Sequence, residues 1–168
     1  QSQVEITKAI YTHSHYDHAG GRMGRRGTLE GAREMAQQGV EVLVAQPDLR
    51  DVALQCDVPS GSITALADGE VIRLGGSIGI RCIHTPGHTP GSACFAVGGD
   101  GSPEADVECV ITGDTLFVGA FGRVDLPKSD PDAMFESFQT LGALADETVV
   151  LAVRFGLAGF SHPLVVRP

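Results

Sequence analysis

Three histidines and an aspartate lie within the six residues HSHYDH, from His13 to His18. The chain of 168 residues holds six histidines, so half of them lie in this one stretch. His13 and His15 can turn toward one ion when the loop curls, while Asp17 and His18 are adjacent and can face a second ion. Neutral imidazole binds zinc, iron or manganese, and a carboxylate adds negative charge. The pattern HxHxDH after a strand therefore predicts a metal site.

Two further ligand candidates lie at the ends of strands predicted later in the chain. His88 lies in TPGHTPGS, where two prolines and two glycines build a stiff turn. Asp114 ends the segment CVITGD, and Gly113 before it permits a close approach of the backbone. Loops at strand ends commonly carry functional side chains. We therefore expect both residues to join the histidine motif at one site.

The elements that must position these residues are mixed α and β. The predicted strands comprise residues 4–12, 40–45, 70–74, 78–84, 92–97, 108–112 and 147–153. A helix is predicted over 28–38 with Gly39 as its C-cap, and a short helix opens at Pro47. A longer helix over 129–146 has Asp130 or Ser129 as N-cap and an apolar stripe of Met134, Phe135, Phe138, Leu141 and Leu144. This order suggests two sheets packed face to face with helices outside.

Four motifs, THSHYDHAGG, HTPGHTPGS, TGDTLF and GRVDLP, follow one another along the chain. Their order and approximate spacing resemble the metallo-β-lactamase superfamily, and within it the branch of glyoxalase II and persulfide dioxygenase. The resemblance covers about residues 4–150. It implies a fold of the α+β (or α/β) class, an αββα sandwich with metal ions at one edge.

The resemblance also implies roles for individual residues. In two-metal members the matching residues are His13, His15 and His88 for one ion, Asp17 and His18 for the second, and Asp114 between the two. Asp17 is assigned to catalysis as well. A metal-bound hydroxide would attack a thioester or similar carbonyl, whose oxyanion both ions would stabilise. Arg123 matches an arginine that could place the substrate, whereas His84 matches no ligand position and is interpreted as structural.

Three functions stay open at this stage. The first is a hydrolase of a small acyl substrate such as a glutathione thioester, with one or two Zn²⁺ ions. The second is a mononuclear Fe²⁺ oxygenase of the persulfide dioxygenase kind, which would need only His13, His88 and Asp114. The third is a truncated, non-catalytic product that retains metal ligands.

Both ends of the chain depart from the family pattern. The last predicted strand continues into Arg154 where two-metal relatives have a Pro-Gly-His turn, and a protonated arginine is no metal ligand. His162, in the atypical tail 151–168, is the remaining candidate for that ligand. About a dozen residues precede the histidine motif, so we expect an incomplete first sheet. The family's GGCGR segment reads GAFGR here, with Phe121 in place of cysteine.

Composition limits the classes of partner. The net charge of −9 argues against binding to nucleic-acid phosphates, and the short basic cluster GRMGRRG is interpreted as a solvated loop. No apolar run reaches the roughly 20 residues of a membrane span. The length predicts a single domain over 1–168. Four scattered cysteines and no visible signal segment favour the cytoplasm or an organelle matrix, and the oligomeric state is left open.

Overall fold

The fold is that of a computed structural model, which describes residues 5–74, 78–99 and 106–152. Its strands are β1 (Lys8–Tyr11), β2 (Gly21–Arg22), β3 (Thr28–Leu29), β4 (Glu41–Ala45), β5 (Ile63–Leu66), β6 (Val71–Leu74), β7 (Ile78–His84), β8 (Ala93–Gly98), β9 (Cys109–Ile111) and β10 (Val149–Leu151). Its α-helices are α1 (Tyr16–Ala19), α2 (Ala32–Gln37), α3 (Leu49–Cys56) and α4 (Pro131–Gly142).

Two sheets of different construction form the centre of the fold. In the described residues the first sheet has three parallel strands in the order β1-β4-β5. The second has five strands in the order β10-β9-β8-β7-β6, antiparallel except for the pair β9 and β10. Strands β2 and β3 form a separate ribbon.

The alternation of side chains along β4 explains why the sheets pack in layers. Leu43 and Ala45 point to the second sheet and, with Leu66 of β5, pack against Ile72, Cys82, Ala93 and Phe95. Val42 and Val44 point the other way, onto the buried faces of α2 and α3. Successive strand residues face opposite sides of a sheet, so a strand buried on both faces is apolar throughout.

Helix α4 supplies the fourth layer on the outer side of the second sheet. Asp130 caps it by accepting hydrogen bonds from the backbone N–H groups of Asp132 and Ala133. Met134 and Ser137 form its buried face, and the Ser137 hydroxyl donates to the carbonyl of Pro86. The layers therefore run helix, sheet, sheet, helix, and the prediction of a mixed α and β sandwich of the αββα kind is confirmed.

Several local predictions were wrong. The helix expected from residue 28 begins at Ala32, because residues 28 and 29 pair with β2 instead. Strand β5 and helix α1 were not predicted, since neither has a long enough pattern to stand out. Phe135 belongs to no packed stripe and is 64% exposed.

The basic segment GRMGRRG is a ribbon rather than a simple loop. It begins with β2 and leads directly into β3, and Gly24–Arg26 form a 3-10 turn between the two strands. Arg22, Arg25 and Arg26 are exposed, as expected for solvated side chains. None of the helices in the described part of the chain has the length and apolar character of a membrane span.

Candidate metal centre

His13 lies where the first parallel strand ends. Strand β1 stops at Tyr11, and the chain enters the buried junction between the two sheets before helix α1 begins. The His13 ring is fully buried, and its Nδ1 atom lies 3.1 Å from the Thr12 hydroxyl. Its Nε2 atom has no hydrogen-bond partner among the described residues. A buried polar atom without a partner is rare and costly, so this nitrogen requires an explanation.

His88 faces the histidine motif from the turn between β7 and β8. Its Nδ1 atom donates to the Arg123 carbonyl at 2.8 Å, which leaves the lone pair on Nε2. That Nε2 atom lies 2.8 Å from Nδ1 of His15. The Ser129 hydroxyl donates to the His88 carbonyl at 2.8 Å and holds the turn itself. Two ring nitrogens are thereby fixed beside each other.

Asp114 joins a second group of side chains to the first. One carboxylate oxygen lies 3.0 Å from Nε2 of His18, and the other lies 3.3 Å from Nε2 of His88. Asp17, on the same short helix as His18, places an oxygen 4.0 Å from His18 Nε2. Asp114 follows β9, and a Cβ at Gly113 would lie 2.6 Å from the Thr12 Cβ, so only glycine lets this loop approach so closely.

The ligand atoms of these residues form two compact groups. His13, His15 and His88 make one group, and His13, His18 and Asp114 make the other, with the donor atoms of each group lying within 4.8 Å of one another. His13 belongs to both. The second group alone contains a carboxylate, which adds charge to the nitrogen donors.

Burial keeps two histidines of the cluster, His13 and His15, neutral. It lowers the pKa of His13 far below its usual range, and the nearby rings of His18, His15 and His88 lower it further. Burial also lowers the pKa of His15, together with the neighbouring His88. Burial acts on His18 in the same direction, but the hydrogen bond and charge of Asp114 outweigh it and raise the pKa of His18. Neutral imidazole is the form that binds a metal.

The donor set fits a divalent cation. The Nδ1 bond of His88 leaves a lone pair on its Nε2 atom, which faces His15. The buried Nε2 atom of His13 has no hydrogen-bond partner among the described residues. A cation between them would satisfy the unpartnered His13 Nε2 atom and attract the Asp114 carboxylate. Nitrogen donors with one or two carboxylates match the preferences of zinc and iron.

A cavity of about 440 Å³ opens directly beside these groups. It is lined by His15, Tyr16, Asp17, His88, Asp114, Phe117, Phe121, Arg123, Leu126 and Pro127. Phe121 is half-exposed and packs edge-on against Phe138, with ring centroids 5.3 Å apart. The Arg123 side chain lies at the rim in a two-point ion pair with Asp125. The cavity therefore combines polar donors on one side with apolar walls on the other.

The sequence also matches a known protein family along most of its length. The sequence model of the family described as the Metallo-beta-lactamase superfamily matches residues 28–153, most of the chain. The chain belongs to the metallo-β-lactamase superfamily. The matched segment includes His88 and Asp114 and begins after the histidine motif.

Individual members of the superfamily extend the comparison. The cytoplasmic hydroxyacylglutathione hydrolase of Arabidopsis thaliana is 32% identical over 168 residues, which cover 99% of this chain and 57% of the relative. The crystal structure of TTHA1623 in a di-iron-bound form is similar with a TM-score of 0.63 and 29% identity, over 88% of this chain and 69% of that chain. The crystal structure of ETHE1 from Myxococcus xanthus shares the fold, with a TM-score of 0.66, 22% identity, and coverage of 94% and 57%. The chain spans less than two-thirds of the length of the curated relatives it matches.

Within this superfamily fold, the structure brings six of the predicted residues into one cluster. They are His13, His15, Asp17, His18, His88 and Asp114. His84 lies outside it and donates from Nε2 to the Pro90 carbonyl at 2.9 Å, which agrees with a structural role. Arg123 reaches the rim, while its carbonyl orients His88. Arg154 and His162 lie outside the described residues.

Sequence reasoning missed two side chains that hold the histidine loop of this superfamily member. The Gln55 amide donates to the carbonyls of Ser14 and Gly20, both at 2.8 Å. Asp48 is fully buried and accepts a hydrogen bond from the Ser14 N–H at 2.7 Å. Neither residue lies in a recognisable motif. An aspartate directly after an apolar strand was the only available signal for Asp48.

Proposed function

We propose that the chain is a metal-dependent hydrolase that cleaves a thioester, with hydroxyacyl derivatives of glutathione as the substrate class. The observation that carries the proposal is the convergence of two donor groups on the buried, unpartnered Nε2 atom of His13, at the wall of an open cavity. The similarity to a hydroxyacylglutathione hydrolase along almost the whole chain supports the substrate class.

In this proposal His13, His15 and His88 hold one divalent ion, and Asp17, His18 and Asp114 hold a second. When bound, such ions lower the pKa of water to near 7 and stabilise negative charge on a carbonyl oxygen. Zinc and iron both suit the donors, and two zinc ions are the proposed complement. The resting structure already supplies the neutral rings that this requires, because burial lowers the pKa of His13 and His15.

The chain's own residues would orient the metal-binding atoms and accept protons during the reaction. The hydrogen bond from His88 Nδ1 to the Arg123 carbonyl holds the ring proton on Nδ1. The lone pair on Nε2 therefore faces the centre and can bind a metal ion. Asp17 is 39% exposed at its side chain and lines the cavity, so it can accept the proton lost by the attacking water. Water and the thioester give a carboxylic acid and a thiol, which takes up that proton.

The cavity walls favour an acyl group of modest size. Phe117, Phe121 and Leu126 provide the apolar surface. The exposed Arg123 at the rim would exchange its exposed partner Asp125 for a carboxylate of the substrate. Glutathione carries two carboxylates, so a rim arginine suits such a thioester better than a neutral one.

The test is thiol release from a hydroxyacyl glutathione thioester by the zinc-loaded chain, followed with a thiol-reactive dye. We expect turnover that disappears in His88→Ala and persists in His84→Ala, a histidine nearby but outside the centre. A zinc-loaded wild-type chain that releases no thiol above the buffer rate would contradict the proposal.

The second candidate is an iron-dependent oxygenase acting on a persulfide. The contact of His88 with Asp114 at 3.3 Å, beside the His13 ring, favours it because two histidines and one carboxylate suffice for such iron sites. The similar TTHA1623 chain was crystallised in a di-iron-bound form, which supports iron as the metal but not a single-ion site. Oxygen consumption by the iron-loaded chain with a persulfide, and none of the thioester turnover, would favour this function over hydrolysis.

A further inference from the structure

We infer that Asp48 is a positioning residue that sets the spacing between the two loops carrying the proposed ligands. The inference rests on the proposed metal centre. It concerns a residue that contributes no ligand atom to either donor group. Its role is to hold His13 and His15 on one loop at the correct distance from His88 on the other.

The carboxylate of Asp48 bridges the two loops with three hydrogen bonds. One oxygen accepts from the Ser14 N–H at 2.7 Å, between the two histidines of the first loop, and from the Thr89 hydroxyl at 2.8 Å. The other oxygen accepts from the Gly91 N–H at 2.7 Å. Thr89 and Gly91 follow His88 in the same turn, so a single side chain binds both ligand-bearing segments.

Asp48 is itself held firmly. It ends the short 3-10 turn Gln46–Asp48 and precedes α3, whose residues Val52, Ala53 and Cys56 are buried in the first-sheet core. Gly91 approaches so closely that a Cβ there would lie 2.5 Å from the Asp48 Cβ. The loop between β7 and β8 therefore packs directly against Asp48, which precedes helix α3 on the outer side of the first sheet.

Only a carboxylate can serve both loops at once. A buried charge is costly, and no basic side chain is described in an ion pair with Asp48, so its compensation among the described residues comes from these three donors. Asparagine has the same shape but one accepting oxygen. In either orientation its NH₂ group would face a backbone N–H, of Ser14 or of Gly91, and one loop would be released.

The experiment measures zinc affinity by competition with a chromophoric chelator, and the visible spectrum of the cobalt(II)-loaded chain. Asp48→Asn is expected to weaken zinc binding about 10-fold or more, and to change the cobalt spectrum, because the ligands lose their relative placement. The control is Ile72→Ala, a core truncation in β6, in the second sheet. It lowers the unfolding midpoint of the metal-free chain without contacting either loop, so its zinc affinity should stay within about 2-fold of wild type.

A milder variant keeps the inference testable if Asp48→Asn fails to fold. Thr89→Val removes the hydroxyl that donates to Asp48 and that lies 2.8 Å from the Ser92 hydroxyl. It is expected to weaken zinc binding about 3-fold, because the two backbone N–H groups still bind Asp48. An Asp48→Asn chain with wild-type zinc affinity and cobalt spectrum but a lower midpoint would overturn the inference and leave Asp48 a purely structural residue. If that variant does not fold, unchanged affinity in Thr89→Val would overturn it. A wild-type chain that binds no metal would instead overturn the proposed function.

Discussion

The two donor groups of the candidate centre differ in what holds them. His13 and His88 are fixed by groups outside the centre, through Thr12 and the Arg123 carbonyl, and their loops are joined by Asp48. The Nε2 atom of His18 instead lies 3.0 Å from a carboxylate oxygen of Asp114, which belongs to the centre itself. Helix α1, which carries Asp17 and His18, has four residues and no side-chain N-cap bond.

The three-histidine group is therefore arranged before any ion arrives, whereas the other group depends on contacts among its own members. Preorganised ligands lose little freedom on binding, so their site binds more tightly. We therefore expect the three-histidine group to bind its ion first. The second group, His18 and Asp114 taken together with the neighbouring Asp17, should bind its ion second and more weakly.

The largest effect should come from His88, which contacts both groups. His88→Ala is expected to reduce bound metal to near zero in the purified chain, because it removes one nitrogen donor and the partner of Asp114. Elemental analysis measures the metal per chain. His84→Ala, which loses only the Pro90 contact, should keep its metal, and an equal loss in both variants would contradict the distinction.

Asp17 tests the weaker group alone. Asp17→Asn should weaken the second ion about 10-fold or more and leave the first unchanged, because the three-histidine group does not include this residue. Two-step calorimetric titration of the metal-free chain separates the two ions. Asp57→Asn, at an exposed aspartate paired with Arg33, is the matched control. Equal weakening of both steps by Asp17→Asn would remove the division into two groups.

Acid should destabilise the preorganised group. His13 and His15 have pKa values lowered in the folded state, so their contribution to stability is present above an unfolded value near 6.5 and is lost as pH falls below it. His18 behaves oppositely, since its raised pKa adds stability below about 6.5 that fades at higher pH.

The free energy of unfolding of the chelator-treated chain should therefore fall by about 1–2 kcal/mol between pH 6.5 and 5.5. Urea unfolding at the two pH values measures it. His13→Gln should show a smaller fall, because one of the two buried rings is gone. A flat profile in the wild-type chain would mean that these rings are not held neutral.

The smallest effect concerns the cavity wall. Phe121→Ala should raise the KM for an acyl glutathione thioester about 5-fold with little change in kcat, because the ring lines the cavity and touches no donor atom. Val118→Ala is the control, since Val118 is as exposed as Phe121 but does not line the cavity. Similar KM values for both variants would exclude Phe121 from the substrate site.

The sequence allowed the cluster to be predicted because its chemistry is written in short, rare motifs. Histidines spaced by two, or adjacent to an aspartate, have few other reasons to occur at a strand end. Strand β7 has the predicted bounds, and β8 is shifted by one residue from the predicted range 92–97. Asp48 could not be predicted, because its partners are two backbone N–H groups and the Thr89 hydroxyl, which only the fold brings near it.

The wrong fold predictions concern short elements whose structure depends on tertiary contacts. Thr28 lies in a helix-like pattern, yet pairing with Arg22 places it in a two-residue strand, since tertiary contacts override a weak local preference. Strand β5 has only four residues and follows a turn-rich segment, and it becomes a strand because β4 offers a parallel partner. Short elements of this kind depend on neighbours that a local pattern does not reveal.

The wide separation of the clustered residues along the chain has a consequence for folding. An ion held between His13 and Asp114 would close a loop of roughly a hundred residues. An unfolded chain that kept this loop closed would lose much of its conformational entropy. Such an ion acts as a reversible cross-link, comparable to a disulfide, and stabilises the folded chain in proportion to the logarithm of its free concentration. Metal supply would thereby set how long the folded chain survives attack by proteases.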